Sequence, residues 1–197
     1  TTDGLGKVTD YTYEELSNFD AGYNFTVDNG KSHPYGGKGL KIPMLQEIIE
    51  QLPAALLNID IKTKSSQLIH KTRNIFEQYK AFNRVIIGSI SFFHACQIRN
   101  IIPECFNFIP KADIILFTIL GNYRCTRNYF KKYNVLEIPT FHNGSKLFPR
   151  LKPAINIHKI PVFVWGADSS ELLDYYIKEN VTGIITSRPD LLYKKLY

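Results

Sequence analysis

The chain has 197 residues, of which 44% are hydrophobic and 21% are charged, a composition typical of a folded domain with one sizeable core. A formal charge of +6 suits an anionic substrate or a phospholipid surface, but no stripe of interleaved basic and aromatic residues indicates nucleic-acid binding. Three cysteines without a Cys-x-x-Cys pair predict neither a disulfide framework nor a zinc site, and they favour a reducing compartment such as the cytoplasm.

The first 50 residues are predicted to form a polar insertion and a lead-in helix. Thr12 and Glu15 have the spacing of a capping box, which predicts a short helix over 12–19. The stretch 24–41 contains glycines and Pro34 but few aliphatic residues, so we expect a surface loop. Pro43 then starts a helix over 44–51.

From residue 56 to residue 197, short β-branched runs alternate with helical stretches such as 65–79 and 92–100. Six strands are predicted, over 56–62, 84–91, 112–117, 135–138, 162–165 and 183–186. This alternation implies parallel crossovers, either in a doubly wound open sheet or in a (β/α)₈ barrel that is short by two units. Periodicity does not choose between them, but no glycine-rich phosphate loop supports the nucleotide-binding open sheets.

The run 57–62 has the most informative alternation. Asn58, Asp60 and Lys62 share one strand face, while the apolar residues between them share the other. Since the apolar face must meet the helices, the charged residues point inward, where an unpaired charge costs several kcal/mol. At the carboxyl end of the strand, Asp60 could hold a hard divalent cation and Lys62 could contact a phosphate oxygen. The alternative is an Asp60–Lys62 ion pair without a ligand.

These residues also carry a family resemblance. The run 58–62 is similar to the Asn-Ile-Glu-Ile-Lys strand of the glycerophosphodiester phosphodiesterases, and further segments match that family in order and spacing. The matching segments are 1–8, 15–16, 20–22, 39–47, 162–165, 183–186 and 188–192. The resemblance covers almost the whole chain and implies a TIM-like (β/α)₈ barrel, truncated to strands three to eight.

The resemblance further implies a metal-dependent hydrolase that cleaves glycerophosphodiesters to sn-glycerol 3-phosphate and an alcohol. The family holds Mg²⁺ or Ca²⁺ with three carboxylates and uses two histidines for catalysis. By motif, Asp60 matches the third metal ligand, Lys62 matches the phosphate-contacting lysine, and Trp165 matches the tryptophan that walls the substrate pocket. The segments with the histidines and the other two carboxylates would precede Thr1. We therefore expect no catalytic residue in this chain, an incomplete metal site, and no activity of the truncated chain alone.

The chain departs from the family pattern at three places. Asp60 replaces a glutamate, 166–168 replaces Thr-Val-Asn, and Ser187 replaces an aspartate. None of the five histidines matches a catalytic position; His142 is the one that topology puts near the mouth. Two alternatives therefore stay open: a non-catalytic relative that serves as a binding or interaction module, and a lysophospholipase D-type enzyme.

The predicted partner is a small glycerophosphodiester or a lysophospholipid. A membrane surface and the oligomeric state stay open, and nucleic acid is not expected. A barrel without its first two strands leaves strands three and eight as unpaired edges, so the isolated chain should be marginally stable or prone to aggregate.

Overall fold

The computed structural model describes residues 2–28 and 30–197; Thr1 of the predicted opening and Asn29 of the predicted loop lie outside them. The chain divides into two compact units, residues 1–53 and 54–197. None of the helices in the described part combines the length and apolar character needed to cross a bilayer.

The first unit holds two short α-helices, α1 (Tyr13–Leu16) and α2 (Leu45–Gln51), after a 3₁₀ turn at Val8–Asp10. The Thr12 hydroxyl accepts a hydrogen bond from the Glu15 amide, and the Glu15 carboxylate accepts one from the Thr12 amide. The predicted capping box is thus confirmed, although α1 ends three residues before the predicted boundary. Turns tied by the Asp20 carboxylate, which accepts from the amides of Gly22 and Gly37, occupy the predicted loop.

The second unit contains six parallel strands in residues 54–197. They are β1 (Leu57–Asp60), β2 (Val85–Gly88), β3 (Phe106–Asn107), β4 (Leu136–Pro139), β7 (Val162–Trp165) and β8 (Gly183–Ile185). A small antiparallel hairpin, β5 (Phe141–His142) and β6 (Ser145–Lys146), follows β4. The seven helices of this unit are α3 (Ser66–Gln78), α4 (Phe92–Ile101), α5 (Lys111–Leu120), α6 (Arg127–Phe130), α7 (Phe148–His158), α8 (Ser170–Lys178) and α9 (Pro189–Leu196).

The strand order favours a barrel over a doubly wound sheet. β1, β2 and β3 form one parallel sheet and β4, β7 and β8 form another, and a parallel bridge between Phe108 and Val135 joins them. Each new parallel strand is therefore added beside the preceding one, on the same edge. A doubly wound sheet would reverse direction at a switch point, and no reversal occurs among residues 54–197. The prediction of an α/β chain with parallel crossovers is confirmed.

The core lies between the outer faces of the strands and the helices. On β2, Val85 and Ile87 are fully buried on the face covered by α4, which packs against α3. Around β4 and β7 a larger cluster of buried side chains joins the strands to α5, α7 and α8. It contains Ile109, Phe117, Phe130, Tyr133, Leu136, Ile138, Leu147, Phe148, Leu151, Ala154, Ile160, Val162, Val164, Ala167, Leu173 and Tyr176.

On the inner face, aromatic rings occupy space that two glycines leave free. A Cβ added to Gly88 would lie 2.7 Å from the ring of Phe108, and one added to Gly183 would lie 3.0 Å from the ring of Phe163. Gly88 is the register partner of Asp60, so the Phe108 ring lies beside the Asp60 position. Aromatic side chains therefore pack directly against the backbone at the end of β2 and at the start of β8.

One predicted strand is wrong. Residues 112–117 belong to α5, and the third parallel strand is the two-residue β3 upstream of them. A six-residue run that is apolar except for Asp113 fits a strand or a buried helix equally well. Here Pro110 serves as the N-cap, and Asp113 and Phe117 are both buried at the i, i+4 spacing of one helical face. The hairpin of β5 and β6 was not predicted.

Candidate active site

Two of the predicted site residues lie at the carboxyl end of β1. Asp60 is the last residue of the strand, and Lys62 follows two residues later. The Lys62 Nζ donates to the Asp60 Oδ2 at 2.8 Å, with side chains that are 84% and 36% exposed, respectively. An ion pair so exposed contributes little to stability, so a ligand could replace it at little cost. The structure thus contains the Asp60–Lys62 ion pair that the sequence suggested.

The pairing of β1 with β2 positions Asp60 at the carboxyl end of the parallel strands, which we call the rim. Asp60 is in register with Gly88, and the next amide, that of Ile61, donates to the Gly88 carbonyl at 2.9 Å. Asp60 and Asn58 therefore lie on the inner face, and Ile61 is buried on the outer one. This is the alternation expected from the sequence.

Trp165 is the last residue of β7, so its predicted place at a strand end is confirmed. Its backbone is fixed on both sides: the Thr140 amide donates to the Trp165 carbonyl, and the Gly166 amide donates to the Ile185 carbonyl. The indole is 48% exposed, so Trp165 is not a core residue. Within the described residues no hydrogen bond or ion pair joins Trp165 to Asp60 or Lys62.

A second inner-face carboxylate, Glu137 on β4, was missed at the sequence level. The Asn58 amide on β1 donates to the Glu137 Oε1 at 2.7 Å, which ties two non-adjacent strands. Burial raises the pKa of Glu137; the Asn58 hydrogen bond opposes this shift, and the negative charge of Asp60 adds to it. The signal was present in the sequence, since Glu137 stands between two apolar residues, Leu136 and Ile138, in a predicted strand. In the structure both of these neighbours are fully buried.

These carboxylates do not complete a metal site. No group of three or more histidine, cysteine, aspartate or glutamate side chains able to hold a metal ion occurs in the part of the chain that the structure describes. Hard cations such as Mg²⁺ and Ca²⁺ take six or more oxygen ligands, partly from water. Asp60 and Glu137 alone therefore do not fit such an ion, and no step of a reaction follows from them.

The departures after β7 have a structural role at the rim. The Asp168 Oδ1 accepts hydrogen bonds from the Thr186 hydroxyl at 2.9 Å and from the Ser187 amide at 2.7 Å. Asp168 thereby links the end of β7 to the end of β8, which positions the segment that carries Ser187.

Among the described residues, neither His142 nor His158 forms a hydrogen bond with Asp60, Lys62 or Glu137. His142 is exposed in the hairpin, while His158 bonds to the Gly121 carbonyl at 2.9 Å and lies against the rings of Phe117 and Phe130. His158 is a packing residue of the core.

A family model described as the glycerophosphoryl diester phosphodiesterase family matches residues 1–191. The chain belongs to this family.

Curated relatives agree with the assignment. A glycerophosphodiester phosphodiesterase of Caldanaerobacter subterraneus is 26% identical over 202 residues, covering 98% of this chain and 74% of the relative. A Mycobacterium tuberculosis relative is 27% identical over 164 residues, covering 79% of this chain and 60% of its own length. The mouse lysophospholipase D GDPD1 is 32% identical over 84 residues, covering 42% of this chain and 24% of the relative.

Solved structures show the same fold. The phosphodiesterase domain of a Mycobacterium tuberculosis protein superposes with a TM-score of 0.74 at 15% identity, over 99% of this chain and 78% of that one. An Oleispira antarctica phosphodiesterase, solved with the product sn-glycerol-3-phosphate, gives 0.68 at 17% identity, over all of this chain and 74% of that one. The chain thus shares the TIM-barrel fold of these enzymes and spans about three-quarters of their length.

Proposed function

We propose that this protein hydrolyses glycerophosphodiesters to sn-glycerol 3-phosphate and an alcohol. The observation that carries the proposal is the family match over residues 1–191, combined with a carboxylate and a lysine at the carboxyl end of a barrel strand. Active sites of TIM barrels lie at this end of the strands. We further propose that the six parallel strands, β1, β2, β3, β4, β7 and β8, represent strands three to eight of the family barrel.

The proposed roles follow the motif. Lys62 would contact the phosphate of the substrate, since its ammonium is exposed and its ion pair is weak. Trp165 would wall the pocket with its half-exposed indole. Asp60 would be one ligand of a divalent cation, Mg²⁺ or Ca²⁺. The described residues do not complete that site, so we also propose that the 197-residue chain alone does not turn over substrate.

Trp165 is the one tryptophan of the sequence, so its fluorescence can test the binding part of this proposal. Titration of the purified chain with sn-glycerol 3-phosphate should change the emission of Trp165. Lys62→Ala should weaken the apparent affinity about tenfold, the value of one charge-assisted contact. Lys194→Ala, which removes an exposed lysine from α9, is the matched control and should have no effect. No fluorescence response, or equal affinity of the two variants, would count against the proposed site.

A hydrolysis assay addresses the second part. The 197-residue chain, supplied with Mg²⁺ or Ca²⁺, is expected to release choline from glycerophosphocholine no faster than buffer. Metal-dependent release would contradict the predicted inactivity while supporting the hydrolase assignment.

Lysophospholipid hydrolysis is a second candidate, supported by the similarity to the mouse lysophospholipase D over 84 residues. The native protein isolated from its source would decide between substrates by its relative kcat/KM on glycerophosphocholine and lysophosphatidylcholine. Binding of sn-glycerol 3-phosphate without turnover of either substrate by that protein would instead support a non-catalytic module. The hydrogen bond from the Ser187 amide to the Asp168 carboxylate is the structural observation that favours the non-catalytic module.

A further inference from the structure

The segment that joins β2 to the start of α4 exposes three large apolar side chains next to the proposed site. Ile90 is 63% exposed, Phe92 43% and Phe93 68%. Soluble surfaces expose single apolar residues freely, but three within four positions form a contiguous patch. We call Ile90, Phe92 and Phe93 the rim patch.

The backbone holds the rim patch outward. Ser89, directly before it, is buried, and the Ile90 carbonyl accepts a hydrogen bond from the Lys111 amide at 3.3 Å. Phe92 and Phe93 are the first two residues of α4, and Ser91 is its N-cap. The exposure of these side chains is therefore fixed by a strand end, a hydrogen bond and a helix start.

Cations flank the rim patch on both sides. Lys62 follows the neighbouring strand β1, Lys64 lies two residues further, and Lys111 is bonded through its backbone to Ile90. All three lysines are exposed. The carboxylates of residues 54–112 are Asp60, which is paired with Lys62, and Glu77 and Glu104, which lie toward the amino ends of the strands. This sector of the rim is thus apolar at its centre and carries exposed lysines at its edges.

We propose that the rim patch docks this barrel on an anionic phospholipid surface. Apolar tips enter the boundary between headgroups and acyl chains, while neighbouring lysines attract anionic headgroups. Phenylalanine and aliphatic side chains are typical of the face that enters this depth of the membrane. Docking is peripheral, and it turns the carboxyl ends of β1 and β2, with Asp60 and Lys62, toward the lipid.

The functional value of the docking rests on the proposed function. A barrel mouth that faces lipid would accept a phosphodiester that is part of a lipid or has just been released from one. The docking itself does not depend on catalysis. Vesicle binding is therefore measured without substrate, so that the two proposals can fail separately.

The test is co-sedimentation of the purified protein with phosphatidylcholine vesicles and with mixed phosphatidylcholine–phosphatidylglycerol vesicles. The unaltered protein should bind the mixed vesicles more tightly. The double variant Ile90→Ser/Phe93→Ser should lower partitioning onto the mixed vesicles about tenfold or more. Lys64→Glu/Lys111→Glu should remove the preference for the mixed vesicles, because each lysine near an anionic surface contributes to the attraction.

Two matched controls separate this effect from a general change of surface. Leu56→Ser removes an 81% exposed side chain at the opposite end of β1, and Lys194→Glu reverses a charge on α9. Both should bind vesicles like the unaltered protein, and circular dichroism should show that every variant is folded.

Absence of vesicle binding by the unaltered protein, or equal binding by the rim variants, would overturn the proposal. It would also be overturned if sedimentation in solution showed a dimer that Ile90→Ser/Phe93→Ser dissociates, since the patch would then contact a second copy. Vesicle binding that depends on the rim, together with no hydrolysis by the native protein, would support the docking and refute the proposed function.

Discussion

Asp113 shows how one buried charge organises the side chains around it. It is 4% exposed in the first turn of α5 and accepts hydrogen bonds from the phenols of Tyr129, at 3.0 Å, and Tyr133. Lys132 lies 3.7 Å away, and its ammonium also lies over the ring of Tyr129. Burial and the Asp113 carboxylate both raise the pKa of Tyr133, which therefore remains a neutral donor.

Asp113→Ala is expected to lower the free energy of unfolding by about 2–4 kcal/mol, because two phenols and a lysine lose their acceptor. Urea unfolding followed by circular dichroism measures the loss. Asp174→Ala is the control: Asp174 pairs with Lys195 with a 63% exposed side chain, so its removal should cost about 0.5 kcal/mol or less. Equal losses for the two variants would show that the Asp113 cluster contributes nothing special.

The three free cysteines should differ widely in reactivity. Cys125 is exposed, whereas Cys105 is buried and burial raises the pKa of its thiol to about 12. Since the thiolate is the reactive form, N-ethylmaleimide at neutral pH should modify Cys125 rapidly and Cys105 only after unfolding. Peptide mass spectrometry before and after addition of urea measures both, and Cys125→Ser should abolish the rapid phase. Rapid labelling of Cys105 in the native protein would contradict the burial.

The raised pKa of Cys105 predicts how the stability of the protein responds to alkaline pH. Above the ordinary thiol pKa of 9.0, the unfolded chain loses the Cys105 proton while the folded chain keeps it. The contribution of Cys105 to stability is therefore fully present below that pH and decreases as the pH rises toward 12. Cys105→Ala should lessen the fall in unfolding free energy over this range.

Among the elements, β2 and β3 are coupled through a glycine. Gly88 has no side chain, and the Phe108 ring lies where its Cβ would be. Gly88→Ala should therefore destabilise the protein by about 1–3 kcal/mol, the usual cost of overpacking. Thermal unfolding would report it as a lower Tm. Gly36→Ala is the control, because the nearest atom to its added Cβ would be 3.5 Å away, and it should change Tm little.

The elements also show what the sequence could predict and what it could not. The start of α1 and the bounds of β7 follow from local signals, namely a capping box and a β-branched run of strand length. β3 could not be predicted, because two residues are too few to show a period of two. The Asn58–Glu137 hydrogen bond was equally inaccessible, since it joins residues 79 apart in sequence and depends on the curvature of the sheet. Asp60 was placed correctly because alternation within one strand suffices, whereas Lys62 lies beyond the end of β1, which is shorter than the predicted strand 56–62. The roles of both residues stay predictions.

At the scale of the whole molecule, the two edge strands of the parallel series, β1 and β8, determine how the chain associates. Within residues 54–197, β1 pairs with β2 alone and β8 pairs with β7 alone. Unpaired strand edges are templates for association, so the purified 197-residue chain should aggregate as its concentration rises.

A lysine on the β8 edge should suppress that aggregation. Ile185→Lys introduces a charge on the edge strand at a side chain that is 39% exposed. Light scattering during mild heating should fall several-fold relative to Leu196→Lys, which adds the same charge at a 54% exposed site on α9. Equal scattering by the two variants would point to net charge and away from the strand edge.

The order of the strands has a consequence for how the chain is made. Each parallel strand after β1 lies beside the parallel strand that precedes it in sequence, and β4 meets β3 through the bridge between Phe108 and Val135. A ribosome releases these strands in that same order, so every new strand meets a partner that has already emerged. Sheet growth can therefore follow synthesis from β1 to β8, and no strand has to wait for a distant segment before it finds its neighbour.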